Sequence, residues 1–443
     1  MKLIVRKSRL KGTVLIPSSK SHTIRAVAIA SLASGQSTIR NPLISGDTDA
    51  VVNCYRALGA QIDTSEPTLW KVTGTAAQIK NPKEVVDVGN SGTTLNIAIG
   101  SASLVRKGQT VTFTGDEQTQ SRPVGPLLNS LNDLGANCIS VNNTGCAPVR
   151  ITGQLVGGKT SIAASTSQYL SSLVLCTPLA AKDSEIEVTL LNEPDYVQMT
   201  LDWLDKQKIQ YENEQMRRFK VKGNQSYRAF DATIPADFSS GTFFLCATAL
   251  FADEVTLLGL DFSDSQPDKA VVDYLKAMGA NITIQAHSIT IKAAPLRGIE
   301  VDMNRTPDAL PAMAVTATFA EGETRLVNVP QARLKETDRI RCMAEELKKL
   351  NVDVEELPDG LIIRGSLRGM SDERRGTNRP SSIIHHPSLL LDGRSDHRIV
   401  MALSLAGLAM DDGCVIDTAE AMNVTFPDYV KLMKSIDANM KLV

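Results

Sequence analysis

Six cationic side chains stand at the starts of apolar helices or in the polar loops that lead to helices. Lys20 and Arg25 open the stretch "IPSSKSHTIRAVAIASLASG", whose later part is almost wholly Ala, Val, Ile and Leu. The first turn of a helix carries the positive end of its dipole, so cations there are unfavourable unless an anion joins them. Arg122 lies in the polar loop of "TVTFTGDEQTQSRP", Lys335 and Arg339 share "LKETDR", and Arg398 begins "SDHRIVMALSLAG". Converging helix N-termini with these side chains would bind a polyanion, arginine giving bidentate contacts to phosphate or carboxylate. Two acids, Asp308 and Glu336, occupy the same class of position. Surrounded by cations, they suit acid–base work better than metal ligation.

The composition makes this cationic set a local feature. Among 443 residues, 47 Lys and Arg face 49 Asp and Glu, and aromatic residues are 4%. That balance argues against a nucleic-acid stripe or a membrane-surface protein, while the length allows a large core in two or three domains. The opening "MKLIVRKSRLKG" has no continuous apolar segment, and the apolar run 399–410 is interrupted by Ser404 and Gly407. It is too short to span a bilayer, so the expectation is a soluble, cytoplasmic, monomeric protein. Seven cysteines lack CxxC or Cys/His metal spacing and read as small core hydrophobes in a reducing compartment. His385 and His386 fall in "RGMSDERRGTNRPSSIIHHP", a polar stretch over 368–387, where they read as solvated residues and not as a metal site.

The elements that must position the charged residues form a repeat. The segments "YRALGAQID", "LNDLGANCI", "LDKQKIQYE", "LKAMGANITI" and "LKKLNVDVEEL" recur at roughly 70 to 76 residues, and "LMKSIDANM" arrives late because of the 368–387 insertion. Each reads as the end of an amphipathic helix, a tight turn and a short strand. A second helix type follows the same period: "SHTIRAVAIASLASG", "SGTTLNIAIGSASLVRKG", "TSQYLSSLVLCTPLAAKD", "SSGTFFLCATALFADE", "PDALPAMAVTATFAEG" and "SDHRIVMALSLAGLAMDDG". Apolar nearly all round, these helices must be buried on most sides. Between the two helix types lie a strand and a polar loop. The expected architecture is α/β, with six helix–strand–loop–helix–strand units forming two three-unit domains, helices inside and sheets outside. The expected boundaries are 21–234 for one domain and 1–20 with 235–443 for the other, with the active site in a cleft between them. Such a cleft predicts closure on substrate binding.

The unusual residues fall at equivalent positions of the repeat. Helix starts carry Lys20, Ser21 and Arg25; Asn90, Ser91 and Gly92; Thr166, Ser167 and Gln168; Asp308; and Asp396, His397 and Arg398. Loops carry Arg122, Tyr196 and the group Lys335, Glu336, Asp338 and Arg339. Each motif alone has a structural explanation, as a helix cap or a solvated charged face. Their common register is what favours a site.

The motifs "PSSKSHTIRA", "GNSGTT", "SRPVGPL", "TSQYLSSLV", "PDALPAMAV", "LKETDRI", "SDHRIVMAL" and "TFPDYV" resemble the 3-phosphoshikimate 1-carboxyvinyltransferase family along the whole chain. The resemblance implies an inside-out α/β prism of six repeats. It also implies transfer of the enolpyruvyl group of phosphoenolpyruvate to the 5-hydroxyl of shikimate 3-phosphate, with no cofactor and no metal. By motif position, Lys20, Ser21, Arg25, Thr166, Ser167, Gln168, Tyr196, Asp308, Gln331 and Lys335 would hold shikimate 3-phosphate. Lys20, Asn90, Gly92, Arg122, Gln168, Glu336, Arg339 and Arg398 would hold phosphoenolpyruvate. Asp308 would accept the hydroxyl proton and Glu336 would protonate the methylene carbon, with Lys20 a further proton donor.

The chain departs from the family pattern at four places. "NEPDY" puts Asn192 or Glu193 where a serine is common before the tyrosine matching Tyr196, and the Glu193 carboxylate is expected to point away from the shikimate phosphate. Asn96 replaces a common Arg, Gln331 a common Asn, and Val424 a Lys found in some members, with consequences for affinity and for sensitivity to glyphosate. Two rivals are weaker. The enolpyruvyl transferase acting on UDP-N-acetylglucosamine has Lys-Asn where this chain has Lys20-Ser21, and a Cys in a loop that here reads "GDEQTQSRP". A non-catalytic binder of phosphorylated metabolites would need neither Asp308 nor Glu336.

Overall fold

In the computed structural model, which describes residues 1–365 and 389–443, the chain forms two compact units. One is continuous, Ser18–Pro235; the other joins Met1–Pro17 to Ala236–Val443. Lys20 therefore belongs to the continuous unit, whereas the sequence boundaries had assigned it to the discontinuous one. The local reason is that Ser19 caps the Lys20–Leu32 helix, its hydroxyl accepting from the His22 amide, so the helix cannot be cut from its cap.

Each unit repeats a related pattern three times. Among the described residues, the strands before and after the inner helix pair in parallel in four of the six repeats, and an antiparallel hairpin after the outer helix completes the four-stranded sheet in five; the strands flanking Lys20–Leu32 and Phe238–Phe251 lie in different sheets. In the third repeat the strands Gly158–Ala164 and Ser184–Leu191 pair in parallel across the Ser167–Cys176 helix, with Gly158 opposite Ser184. The Pro194–Lys206 helix then leads to the hairpin Tyr211–Glu214 and Arg218–Val221. The hairpin differs from the expected single strand after each outer helix. Turn residues such as Pro67-Thr68 and Pro358-Asp359 divide what the repeat comparison treats as one strand.

The sheets also explain why one unit is discontinuous. Leu3–Arg6 pairs with Asn439–Leu442 and Cys414–Asp417, and Leu10–Leu15 pairs in parallel with Ala252–Leu258. The beginning of the chain thus completes two sheets of the 236–443 region. Asp231–Thr233, which directly precedes that region, pairs instead with Gln36–Arg40 of the continuous unit.

The inner helices are Lys20–Leu32, Gly92–Ala102 and Ser167–Cys176 in one unit, and Phe238–Phe251, Leu310–Ala317 and His397–Gly407 in the other. Every residue of Phe238–Phe251 is buried, as its composition requires. Within each unit these helices pack together at the centre of one hydrophobic cluster. Small residues allow close approach: a Cβ at Gly100 would come within 2.3 Å of the Ser172 hydroxyl on the neighbouring helix. Six cysteines are buried and Cys146 is half-buried, all of them free thiols. No helix among the described residues is long and apolar enough to cross a membrane. The 368–387 stretch, with His385 and His386, lies outside the described residues.

Candidate active site

In the continuous unit the residues singled out from sequence gather at the starts of the inner helices. Ser19 starts the first helix so that Lys20 occupies its first turn, and Lys20 Nζ lies 3.1 Å from the Asp47 carboxylate, both groups largely buried. Arg25, one turn on, is buried and donates from Nε to the Thr200 hydroxyl (2.8 Å), from Nη1 to the Ser21 carbonyl (3.0 Å) and from Nη2 to the Tyr196 carbonyl (2.9 Å). Burial pushes Arg25 down to about 10, with Tyr196 opposing, so it remains a cation at neutral pH. Three of the five N–H groups of a guanidinium are thereby used, leaving donors for a ligand.

The second and third inner helices meet through amides. Asn96 Nδ2 donates to Gln168 Oε1 (2.7 Å) and to the Gly92 carbonyl (3.0 Å), while Gln168 Nε2 donates to the Thr93 hydroxyl (3.1 Å). Gln168 is thus held between two helix starts, and Asn96, the departure from a common Arg, is what holds it. Asn90 Nδ2 donates to Asp116 (2.7 Å) and Gln118 (2.6 Å), tying the second helix start to the loop that carries Arg122. The Arg122 guanidinium lies over Gly92: a Cβ there would fall 2.4 Å from Nη1. Gly92→Ala should therefore displace Arg122 and weaken binding of an anionic donor about tenfold or more, the loss expected for one charged hydrogen-bonding partner. Isothermal titration of phosphoenolpyruvate measures this; unchanged affinity would mean that the flexible end of Arg122 yields to the methyl group or that Arg122 does not hold the donor.

At the third helix start Glu193 turns toward residues expected to hold shikimate 3-phosphate: Oε2 accepts from the Ser167 hydroxyl (2.7 Å), the Ser167 amide (3.2 Å) and the Thr166 hydroxyl (3.3 Å). Unfilled N–H groups at a helix start attract an anion, and a carboxylate one loop away supplies it.

In the discontinuous unit, charges are knitted around one arginine. Arg339 begins an outer helix and is 1% exposed. Nη1 donates to Asp308 (2.8 Å), Nη2 to Glu336, and Nε to Asp396 (2.8 Å). Arg398 Nη2 lies 3.1 Å from the second oxygen of Asp308 and also donates to the Ser239 hydroxyl (2.8 Å), while Lys335 Nζ is 4.0 Å from Asp308. Burial alone would raise the Asp308 carboxyl. Arg398, Lys335 and Arg339 outweigh both it and the opposing Glu336, holding Asp308 well below the usual carboxylate range. Arg339 is shifted up, its own burial being outweighed by Asp396, Glu336 and Asp308.

Gln331 is buried beside this group without a direct bond to it. Nε2 donates to the Asn304 carbonyl (3.0 Å), and Oε1 has no donor among the described residues. Val424 is half-buried in the short helix Met422–Thr425. Asp47, Thr200 and Ser239 were not singled out from sequence, yet each holds an expected ligand. Asp47 was legible in retrospect as an acid in the loop after the first strand, the position class that yields Glu336 in the fifth repeat.

Comparison with known proteins shows the family of the chain. Residues 4–433 match the family model of EPSP synthase (3-phosphoshikimate 1-carboxyvinyltransferase). The chain belongs to the EPSP synthase family. It is 50% identical over 441 residues to the 3-phosphoshikimate 1-carboxyvinyltransferase of Acetivibrio thermocellus, covering 99% of both chains. It is 49% identical over 444 residues to that of Ruminiclostridium cellulolyticum, covering both chains fully. An EPSP synthase structure from Acinetobacter baumannii has a TM-score of 0.80 at 25% identity, with 99% of each chain covered. The fold expected from the repeats is therefore that of the EPSP synthase family.

Proposed function

We propose that the charged residues described above carry out the reaction of the EPSP synthase family: enolpyruvyl transfer from phosphoenolpyruvate to the 5-hydroxyl of shikimate 3-phosphate, a step in chorismate and aromatic amino acid biosynthesis. The observation that carries the assignment of roles is the pair of acids Asp308 and Glu336 on one buried guanidinium, Arg339. An anion-binding protein has no use for two acids inside a cationic cluster, whereas addition followed by elimination needs a base and a proton donor.

In this reading Asp308, ionised because its cations keep it so, takes the proton of the 5-hydroxyl as that oxygen bonds to C2 of phosphoenolpyruvate. The electron pair of the C2–C3 double bond takes a proton at C3 from the Glu336 carboxyl, which is protonated when the substrates are bound, with Lys20 a second donor, and gives a tetrahedral intermediate. Loss of that proton back to the same group re-forms the double bond as the C2–O bond to phosphate breaks. Phosphate leaves with the proton that Asp308 had taken, which returns Asp308 to its ionised form, so atoms and charge balance without a cofactor.

Binding roles follow the chemistry of each group. Ser21, Arg25, Thr166, Ser167, Gln168, Tyr196 and Lys335 hold shikimate 3-phosphate, and the buried Gln331 Oε1 suits a substrate hydroxyl. Arg122, Arg339 and Arg398 bind phosphoenolpyruvate, with Asn90 and Gly92 shaping the place of Arg122 and Lys20 serving both substrates. Two anions repel, so neutralising and orienting them is a large part of the catalysis, worth about 7–11 kcal/mol when alignment is ideal. The free cysteines fit a reducing, cytoplasmic setting.

Phosphate release from phosphoenolpyruvate tests the reading. Release is expected with shikimate 3-phosphate and not with UDP-N-acetylglucosamine. Silence with both, despite measurable binding, would mark a protein that retains the anion site without the chemistry.

A further inference from the structure

Three donors at the start of the Ser167–Cys176 helix are assigned above to the acceptor substrate, and all three already have an anion. Glu193 Oε2 accepts from the Ser167 hydroxyl, the Ser167 amide and the Thr166 hydroxyl, with the residue 1% exposed. A carboxylate and a phosphate monoester ask for the same thing: short, charge-assisted bonds from hydroxyls and from the amides of a helix N-terminus. They cannot both occupy these donors.

The backbone is arranged to keep the carboxylate there. Glu193 has φ 59° and ψ 49°, a left-handed conformation that side chains other than Asn and Gly adopt reluctantly. The neighbouring Asn192 ties the loop down, its amide donating to the Ala164 carbonyl (3.0 Å) and its Nδ2 to the Ser165 carbonyl (3.2 Å). Pro194 then starts the helix that carries Tyr196 and Thr200, two of the three partners of Arg25. The internal anion and the clamp on a substrate-binding cation thus share one loop and one helix.

We propose that Glu193 is an internal anion seated in the acceptor's phosphate subsite, a specificity-determining side chain that the substrate must displace. The proposal rests on the assignment of Thr166 and Ser167 to shikimate 3-phosphate. Displacement sets a threshold. An acceptor whose ring hydroxyls find partners elsewhere gains enough to evict the carboxylate, whereas a small free anion does not. The seated Glu193 carboxylate therefore makes the subsite selective for the whole phosphorylated acceptor over inorganic phosphate.

The test is isothermal titration of the full-length wild type, Glu193→Gln and Glu193→Asn with shikimate 3-phosphate, unphosphorylated shikimate and inorganic phosphate. Asn is at home in left-handed backbone and guards against a variant that fails to fold. Removing the charge is expected to tighten shikimate 3-phosphate and inorganic phosphate about tenfold to a hundredfold, the range of a charged hydrogen-bonding partner, and to leave shikimate unchanged. Equal or weaker binding of both phosphorylated ligands by the folded variants would overturn the proposal, as would an equal gain for shikimate. Wild-type turnover of phosphoenolpyruvate is followed in parallel. Failure there with shikimate 3-phosphate refutes the functional reading, while the inorganic phosphate titration still decides the role of Glu193.

Discussion

Asp308→Asn should lower kcat for phosphate release about a hundred- to ten-thousand-fold, the range for losing a positioned general base. The Michaelis constant for phosphoenolpyruvate should not rise. Arg339 and Arg398, both assigned to the donor, spend part of their charge on Asp308 (2.8 and 3.1 Å), and the amide releases it. Steady-state kinetics separate the two effects, and a raised Michaelis constant with unchanged kcat would remove Asp308 from the role of base. The same substitution has a pH signature. The folded-state pKa of Asp308 is held below that of an unfolded carboxyl, so its contribution to stability is fully present above the unfolded value of about 4 and is lost as pH falls below it. Acid denaturation of wild type should therefore be steeper below about pH 4 than that of Asp308→Asn.

The second large effect is on stability. Arg339 is the common partner of Asp308, Glu336 and Asp396, and Asp396 is itself fully buried. Arg339→Met keeps the bulk and removes the charge, leaving the acids Asp308, Glu336 and Asp396 without their common partner. Removing one partner of a buried pair costs about 3–5 kcal/mol, which lowers Tm by roughly 10 °C for a domain of about 200 residues. Arg339→Lys keeps the charge without the planar fork, so it should recover part of the stability and little of the activity. Melting curves of both variants decide this; an unchanged Tm for Arg339→Met would show that the three acids are balanced elsewhere.

Much of this protein was legible before any coordinates. A helix such as Phe238–Phe251 has no polar face, so burial is the only stable outcome for it, and six such segments at one spacing fix a six-unit architecture with helices inside. The cations and the two acids were legible for a related reason. Repeats place equivalent residues at equivalent points of the fold, so Asp308, Lys335, Arg339 and Arg398 stand out by position as well as by type. The hairpins were missed because a one-strand comparison across the repeats hides a two-residue turn.

Which acid meets which cation was not legible. Lys20 meets Asp47 across 27 residues, Arg339 meets Asp396 across 57, and Arg25 meets the Tyr196 carbonyl across 171. Local propensity says nothing about such pairings; they depend on how loops return to the starts of the inner helices. Glu193 is the clearest case. From its type alone a carboxylate beside a phosphate subsite belongs outside. Left-handed backbone and three waiting donors bring it in. Composition and periodicity determined the fold and the roster of charged groups, because burial and repetition act on every residue of a segment. Only the tertiary structure decided which of those groups hold one another, because short-range electrostatics depends on distances that no linear pattern contains.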